Sequence, residues 1–137
     1  MIVVDASTLV KYLLHEDSWE QVSRYLKERR PLYPVDHVLK ECSNTIWRHC
    51  YIRKLIDSVT ALDLLRKLIG IIEAKVIVVE AEATYLERAL EISLNSRLPV
   101  YDSLYIAQAE KYGELLTSDR RQAESARSLG VTVHLVE

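Results

Sequence analysis

The chain reads as an α/β domain built on a parallel sheet with helices on both sides, and three observations predict this. Short β-branched runs, Ile2-Val3-Val4 and Val76-Ile77-Val78-Val79, are apolar without alternation, as strands buried on both faces are. Stretches with helical spacing separate such runs, and alternating strands and helices imply crossover connections and therefore parallel strands. At 137 residues, 49% hydrophobic and 28% charged, with three glycines and three prolines, the composition suits one domain over residues 1–137 with a core of its own.

The elements follow in order. Ile2 to Val4 is a buried strand ending at Asp5, and Ala6 to Leu14 continues as a short helix. Ser18 is placed to cap a second helix through Arg30, which Pro31 stops. Leu32 to Val35 has the composition of a short strand, weakened by Pro34. Asp36 is placed to cap the next helix, which runs to about Leu55. Ser58 opens another, ending near Gly70, and the Val76–Val79 strand comes next. Glu82 to Asn95 reads as a helix with Leu86, Leu90 and Leu94 on its apolar face. Asp102 to Tyr112 is a further helix, closed by Gly113. Leu115 to Thr117 is a strand, Arg120 to Leu129 a helix stopped by Gly130, and Val131 to Val136 the last strand.

Bulk properties narrow the setting. The net charge of −2 does not mark a nucleic-acid binder, so a polyanion would have to be held by a local basic patch or by metal ions. Cys42 and Cys50 fall on one predicted helix, about 12 Å apart, too far for a disulfide. With no signal peptide, this predicts a reducing, cytoplasmic location, and no apolar run is long enough to span a bilayer.

Four acids stand out: Asp5, Glu41, Asp102 and Asp119. Asp5 and Asp119 begin helices after strands, and each is explained by an ordinary N-cap; Asp119 followed by Gln122 has the form of a capping box. Asp102 also begins a helix, yet it shares a face with Tyr105, Ile106 and Ala109, which belong toward the core. Glu41 lies mid-helix on a polar stripe with His37, Asn44 and Arg48, where a contact to Asn44 or Arg48 is the plain explanation. The functional expectation rests on the set. Three strand-to-helix junctions and one helix face can open onto the same edge of a sheet, where α/β proteins place their sites. Acids meeting there repel unless a cation lies among them, and Mg²⁺ or Mn²⁺ suits all-oxygen donors.

In order along the chain, Ile2-Val3-Val4-Asp5-Ala6-Ser7-Thr8-Leu9-Val10-Lys11, Glu41-Cys42-Ser43-Asn44, Tyr101-Asp102-Ser103-Leu104-Tyr105-Ile106-Ala107 and Leu116-Thr117-Ser118-Asp119-Arg120-Arg121 resemble the motifs of PIN domains, especially the VapC toxins of toxin–antitoxin pairs. The likeness spans nearly the whole chain. It implies a three-layer α/β/α sandwich with a five-stranded parallel sheet. It further implies a metal-dependent endoribonuclease in which Asp5, Glu41, Asp102 and Asp119 hold Mg²⁺ or Mn²⁺. Ser7, Asn44 and Thr117, with Arg120 at the cleft, would orient ligands or meet the RNA substrate. A VapB-like antitoxin and a homodimer come with the same likeness. The pattern departs from some relatives in having Arg120, Arg121 and Gln122, and no fifth acid, after Asp119.

Other features carry less. Asp36 and His37 precede the acidic helix, where a helix cap and a surface imidazole are the ordinary expectation. Lys27, Arg29 and Arg30 form one basic knot, which a solvated helix face explains, and Arg48, Arg53 and Lys54 form another; Arg120 and Arg121, directly after Asp119, would border the cleft. His49 falls near the apolar stripe of its helix and is expected to be a buried, hydrogen-bonded residue, while Trp47 falls off that stripe. The four histidines lack zinc spacing, and there is no phosphate loop or serine elbow. Two rival classes remain at this point: a catalytically silent PIN-like module binding RNA or protein, and a phosphotransfer domain using Asp5, which lacks the second Asp at position 7.

Overall fold

The computed structural model describes residues 1–137. Its elements are β1 (Ile2–Val4), α1 (Ala6–Leu13), α2 (Trp19–Glu28), β2 (Leu32–Tyr33), α3 (His37–Trp47), a π turn (Arg48–Ile52), α4 (Ser58–Glu73), a 3-10 turn (Glu82–Thr84), α5 (Leu86–Ser96), α6 (Val100–Tyr112), β3 (Glu114–Thr117), α7 (Arg120–Ser128) and β4 (Thr132–Leu135). The sheet is parallel in the order β2-β1-β3-β4. Two helical groups flank it: α1 packs on α2, α3 and α4, while α6 packs on α5, α7, β1 and β3. No helix is long and apolar enough to cross a membrane.

Four strands form the ladder where five are expected, and Pro34 explains the difference. Val76 to Glu80 lies beside β2, but only as isolated parallel bridges, Leu32 with Ile77 and Val35 with Glu80. Leu32 donates to Val76 O at 3.0 Å and accepts from Val78 N at 2.9 Å, and Pro34 O accepts from Glu80 N at 2.9 Å. The rung between them needs a donor at position 34, and proline has none. Side chains hold this border instead: Glu80 accepts from Tyr85 at 2.7 Å, Gln108 at 2.9 Å and Tyr112 at 2.9 Å.

The core joins β1, Leu9, Leu13, Val22, Leu32, Val38, Cys42, Ile46, Leu68, Ile77 and the α6 run Leu104 to Ala107. α6 is buried from Ser103 to Ala109, wedged between the sheet and α5. The expected apolar face of α5 is reversed. Leu86, Leu90 and Leu94 are 50%, 50% and 76% exposed, while Ala89 and Ile92, with Tyr85 just before them, pack inward.

Several boundaries also move. α4 passes through Gly70 and ends at Glu73, since a lone glycine only weakens a helix. The helix expected to reach Leu55 changes at Arg48 into a π turn. Ser18 is left-handed and makes no side-chain cap, and Asp36 does not cap α3: its Oδ1 accepts from Glu82 N at 3.1 Å. Gly113, at φ 91°, closes α6 as expected.

Candidate active site

β1 delivers Asp5 at the rim where the chain leaves the sheet. The residue is 3% exposed and fully engaged: Oδ1 accepts from Thr8 N at 3.0 Å, and Oδ2 from the Ser7 hydroxyl at 2.8 Å and the Thr117 hydroxyl at 2.7 Å. Asp5 therefore caps α1 and faces the rim at once, so the two explanations do not compete. Burial pushes its pKa above the usual carboxylate range, against the pull of these hydrogen bonds.

Thr117, at the end of β3, ties three segments together. Its hydroxyl lies 2.7 Å from both Asp5 Oδ2 and Gln122 Oε1, and accepts Asp119 N at 3.0 Å. Gln122 Nε2 donates to Asp102 O at 2.9 Å, which sets the orientation of its amide. One hydroxyl hydrogen cannot serve two acceptors. The hydroxyl therefore donates to one of the two, and Asp5 Oδ2 keeps the Ser7 hydroxyl in either case.

Asp119 caps α7, accepting from Arg121 N at 2.9 Å and Gln122 N at 3.2 Å. The capping box stays half-made, because Gln122 turns inward to Thr117 and Asp102 instead of back to Asp119 N. Asp102 corrects the expectation of three strand-to-helix junctions. It lies in the first turn of α6 and follows α5 through a short loop with Pro99, not a strand. It is half-buried, and burial raises its pKa to about 6, helped by the charges of Asp119 and Asp5 and opposed by Arg121.

Glu41 comes from α3. Burial raises its pKa to about 7; the Tyr105 hydroxyl, donating to Oε1 at 2.6 Å, opposes this, while Asp102, Asp5 and Glu82 add to it. Neither Asn44 nor Arg48 holds its carboxylate, as a solvated stripe would require; Tyr105 does. The acids of four distant segments thus act on one another at one edge of the sheet. Their hard oxygens suit a divalent cation. As placed, however, no three Asp, Glu, His or Cys side chains surround a common point at ligand distance, so holding an ion requires the side chains to swing inward.

The remaining expected residues occupy different positions. Ser7 is exposed at the rim, Thr117 is buried, and Asn44 is exposed one turn beyond Glu41 beside Tyr101. Arg120 is exposed and paired with Glu137. His37 is no surface imidazole: it stacks on Tyr101 at 4.7 Å, between Glu41 at 3.7 Å and Glu82 at 3.6 Å. Burial lowers its pKa more than the charge of Glu82 raises it, which favours the neutral imidazole. His49 is buried, with Nδ1 3.0 Å from Thr45 O, as expected.

Tyr105, Gln122 and Thr8 escaped the sequence reading. The first two show only a core face and a local cap in sequence, and their polar ends act across 64 and 20 residues.

Comparison with known proteins agrees with this geometry. The model of the PIN domain family matches residues 2–128. Ribonuclease VapC3 of Pyrobaculum aerophilum is 33% identical over 129 residues, covering 93% of this chain and 96% of the relative. The crystal structure of PAE2754 from Pyrobaculum aerophilum superposes with a TM-score of 0.69 at 24% identity, over 96% of this chain and 89% of that one, and speaks for the fold. A family match across nearly the whole chain, together with a VapC relative matched over nearly its full length, means that this protein belongs to the PIN domain family, among its VapC-type members.

Proposed function

We propose that this protein, a single PIN domain over residues 1–137, is an endoribonuclease that hydrolyses RNA phosphodiester bonds with Mg²⁺ or Mn²⁺ held by Asp5, Glu41, Asp102 and Asp119. One observation carries the reading: carboxylates from four separate segments crowd one rim, and their burial and mutual repulsion raise Glu41 to about 7 and Asp102 to about 6. A fold that assembles such repulsion at a sheet edge is poised for a cation. When bound, the ion supplies Lewis acidity to the phosphate and lowers the pKa of its water.

The chain's own groups position the rest. Ser7 and Thr117 hydrogen-bond Asp5, Tyr105 hydrogen-bonds Glu41, and Gln122 holds the first turn of α6 against β3. Asn44 stands beside Glu41 to meet substrate. Arg120 reaches a phosphate only after releasing Glu137, whereas the charge of Arg121 already acts on Asp102.

The kinship with VapC3, a named ribonuclease, supports the RNA substrate and extends the proposal to a VapB-like antitoxin, a homodimer and a cytoplasmic setting. Exposed Trp47, Tyr51, Ile52, Leu55 and Val59 supply apolar surface for protein partners, and Cys42 and Cys50 are free thiols. The test is Asp5→Asn and Asp102→Asn on metal-supplemented RNA. Each is expected to abolish cleavage while leaving the fold intact by circular dichroism; wild-type cleavage by either overturns the assignment.

The open spacing of the acids favours one second reading, a silent module that binds RNA without a metal. Calorimetric titration with Mn²⁺ separates the two, since the silent module gives no heat of binding.

A further inference from the structure

The π turn after α3 has a geometric consequence for two arginines. Arg53 N donates to Arg48 O at 2.9 Å, an i→i+5 bond that widens the helix for one turn. In an α-helix, residues five apart point about 140° away from each other. The wider turn brings the sixth residue back over the first. Arg48 and Arg53 accordingly line the same hollow, of about 320 Å³, together with Ser7, Glu16, Glu41 and Thr45. π turns of this kind are rare and concentrate where function needs a side chain re-aimed.

Both guanidiniums are exposed, and neither lies within ion-pair distance of any acid or forms a side-chain hydrogen bond. Arg29, Arg66, Arg88 and Arg120 are each paired with a carboxylate, and among the arginines without such a partner only Arg48 and Arg53 line the hollow that holds Glu41. The hollow is continuous with the acidic rim through Glu41. A second hollow, on the other side of Glu41, shares Thr45 and Arg48 and runs to the exposed ring of Tyr101. A chain of phosphates laid through both hollows passes Glu41 and meets the two unpaired cations beside it.

We infer that Arg48 and Arg53, aligned by the π turn, grip the backbone phosphates of the RNA strand beside the bond to be cut, and so position it over Glu41. This rests on the ribonuclease reading above. The two arginines are positioning residues: they set the register of the strand and leave the reacting atoms to the acidic rim. Continuity with Glu41 favours RNA over an acidic peptide, for which nothing in the hollow supplies apolar anchors beyond Ala6 and Val10.

The experiment compares wild type, Arg48→Gln/Arg53→Gln, Arg48→Lys/Arg53→Lys and a control, Lys27→Gln/Lys75→Gln, whose lysines are exposed and outside both hollows. Affinity for a fluorescent single-stranded oligoribonucleotide is measured in EDTA across a salt series, and cleavage with Mg²⁺ is measured in parallel. The double glutamine variant should flatten the slope of log K against log salt by about 1.4, about 0.7 for each phosphate released. Its KM should rise roughly tenfold at low salt with kcat unchanged, the lysine variant should recover the slope, and the control should match wild type. An unchanged slope and KM in a wild type that binds and cleaves overturns the inference and spares the ribonuclease reading. Lost binding of a VapB-like antitoxin with RNA affinity intact also overturns it, by assigning the pair to a protein partner. A wild type that neither binds nor cleaves RNA overturns both.

Discussion

Replacing Glu41 by glutamine is expected to make the metal-free protein more stable at alkaline pH while leaving it nearly unchanged in acid. Glu41 is raised from 4.5 to about 7, first by burial and then by Asp102, Asp5 and Glu82. A carboxyl whose folded pKa lies above its unfolded value is bound more tightly to its proton in the folded state. The folded protein is therefore favoured while the group is neutral and loses stability as pH rises between the two values. A shift of this size, at about 1.4 kcal/mol per unit, amounts to roughly 2–3 kcal/mol lost between pH 5 and pH 8. Glutamine is neutral throughout and still accepts from Tyr105, so Glu41→Gln should lack this decline. Urea unfolding at both pH values gives the answer as a difference between the two proteins, in which oppositely shifted groups such as Glu80 and Glu114 cancel. Mn²⁺ should restore the wild type at pH 8 by binding the ionised rim, and do less for the variant. Parallel pH profiles for the two proteins would refute the claim that Glu41 is ionised against its neighbours.

Two further outcomes follow from particular bonds. Thr117→Val keeps the shape but leaves Asp119 N without its acceptor and removes the hydroxyl that Asp5 Oδ2 and Gln122 Oε1 share. It should cost about 3 kcal/mol in urea unfolding, and a loss under about 0.5 kcal/mol would contradict the hub described for this hydroxyl. Gly113→Ala places a Cβ where nothing lies within 4 Å, so its cost is the backbone alone at φ 91°. A loss of about 1 kcal/mol, seen as a fall of a few degrees in Tm, is expected.

What could be read from the sequence was local. β1 is legible because a β-branched run ends on an acid, and Asp5 and Asp119 are legible as caps because capping depends only on neighbours. The same locality misleads elsewhere. Leu86, Leu90 and Leu94 form as good a stripe as Tyr85, Ala89 and Ile92, and only the approach of α6 decides which one is buried. Asp102 was legible as an acid on a core-facing helix, but not that α5, rather than a strand, leads into it. Gln122 has the spacing of a capping box, yet a carbonyl 20 residues away holds its amide. The π turn leaves no mark in Arg48-His49-Cys50-Tyr51-Ile52, where neither Gly nor Pro interrupts the helical pattern.

The rung missing at Pro34 makes the outer border of the sheet its softest seam. Amides of Val78 and Glu80 should exchange with solvent ahead of those in β1 and β3, whose ladders are whole. That border is laced sideways, by phenols and an amide converging on Glu80, so the stitching can loosen without unpicking the strands that carry Asp5 and Thr117.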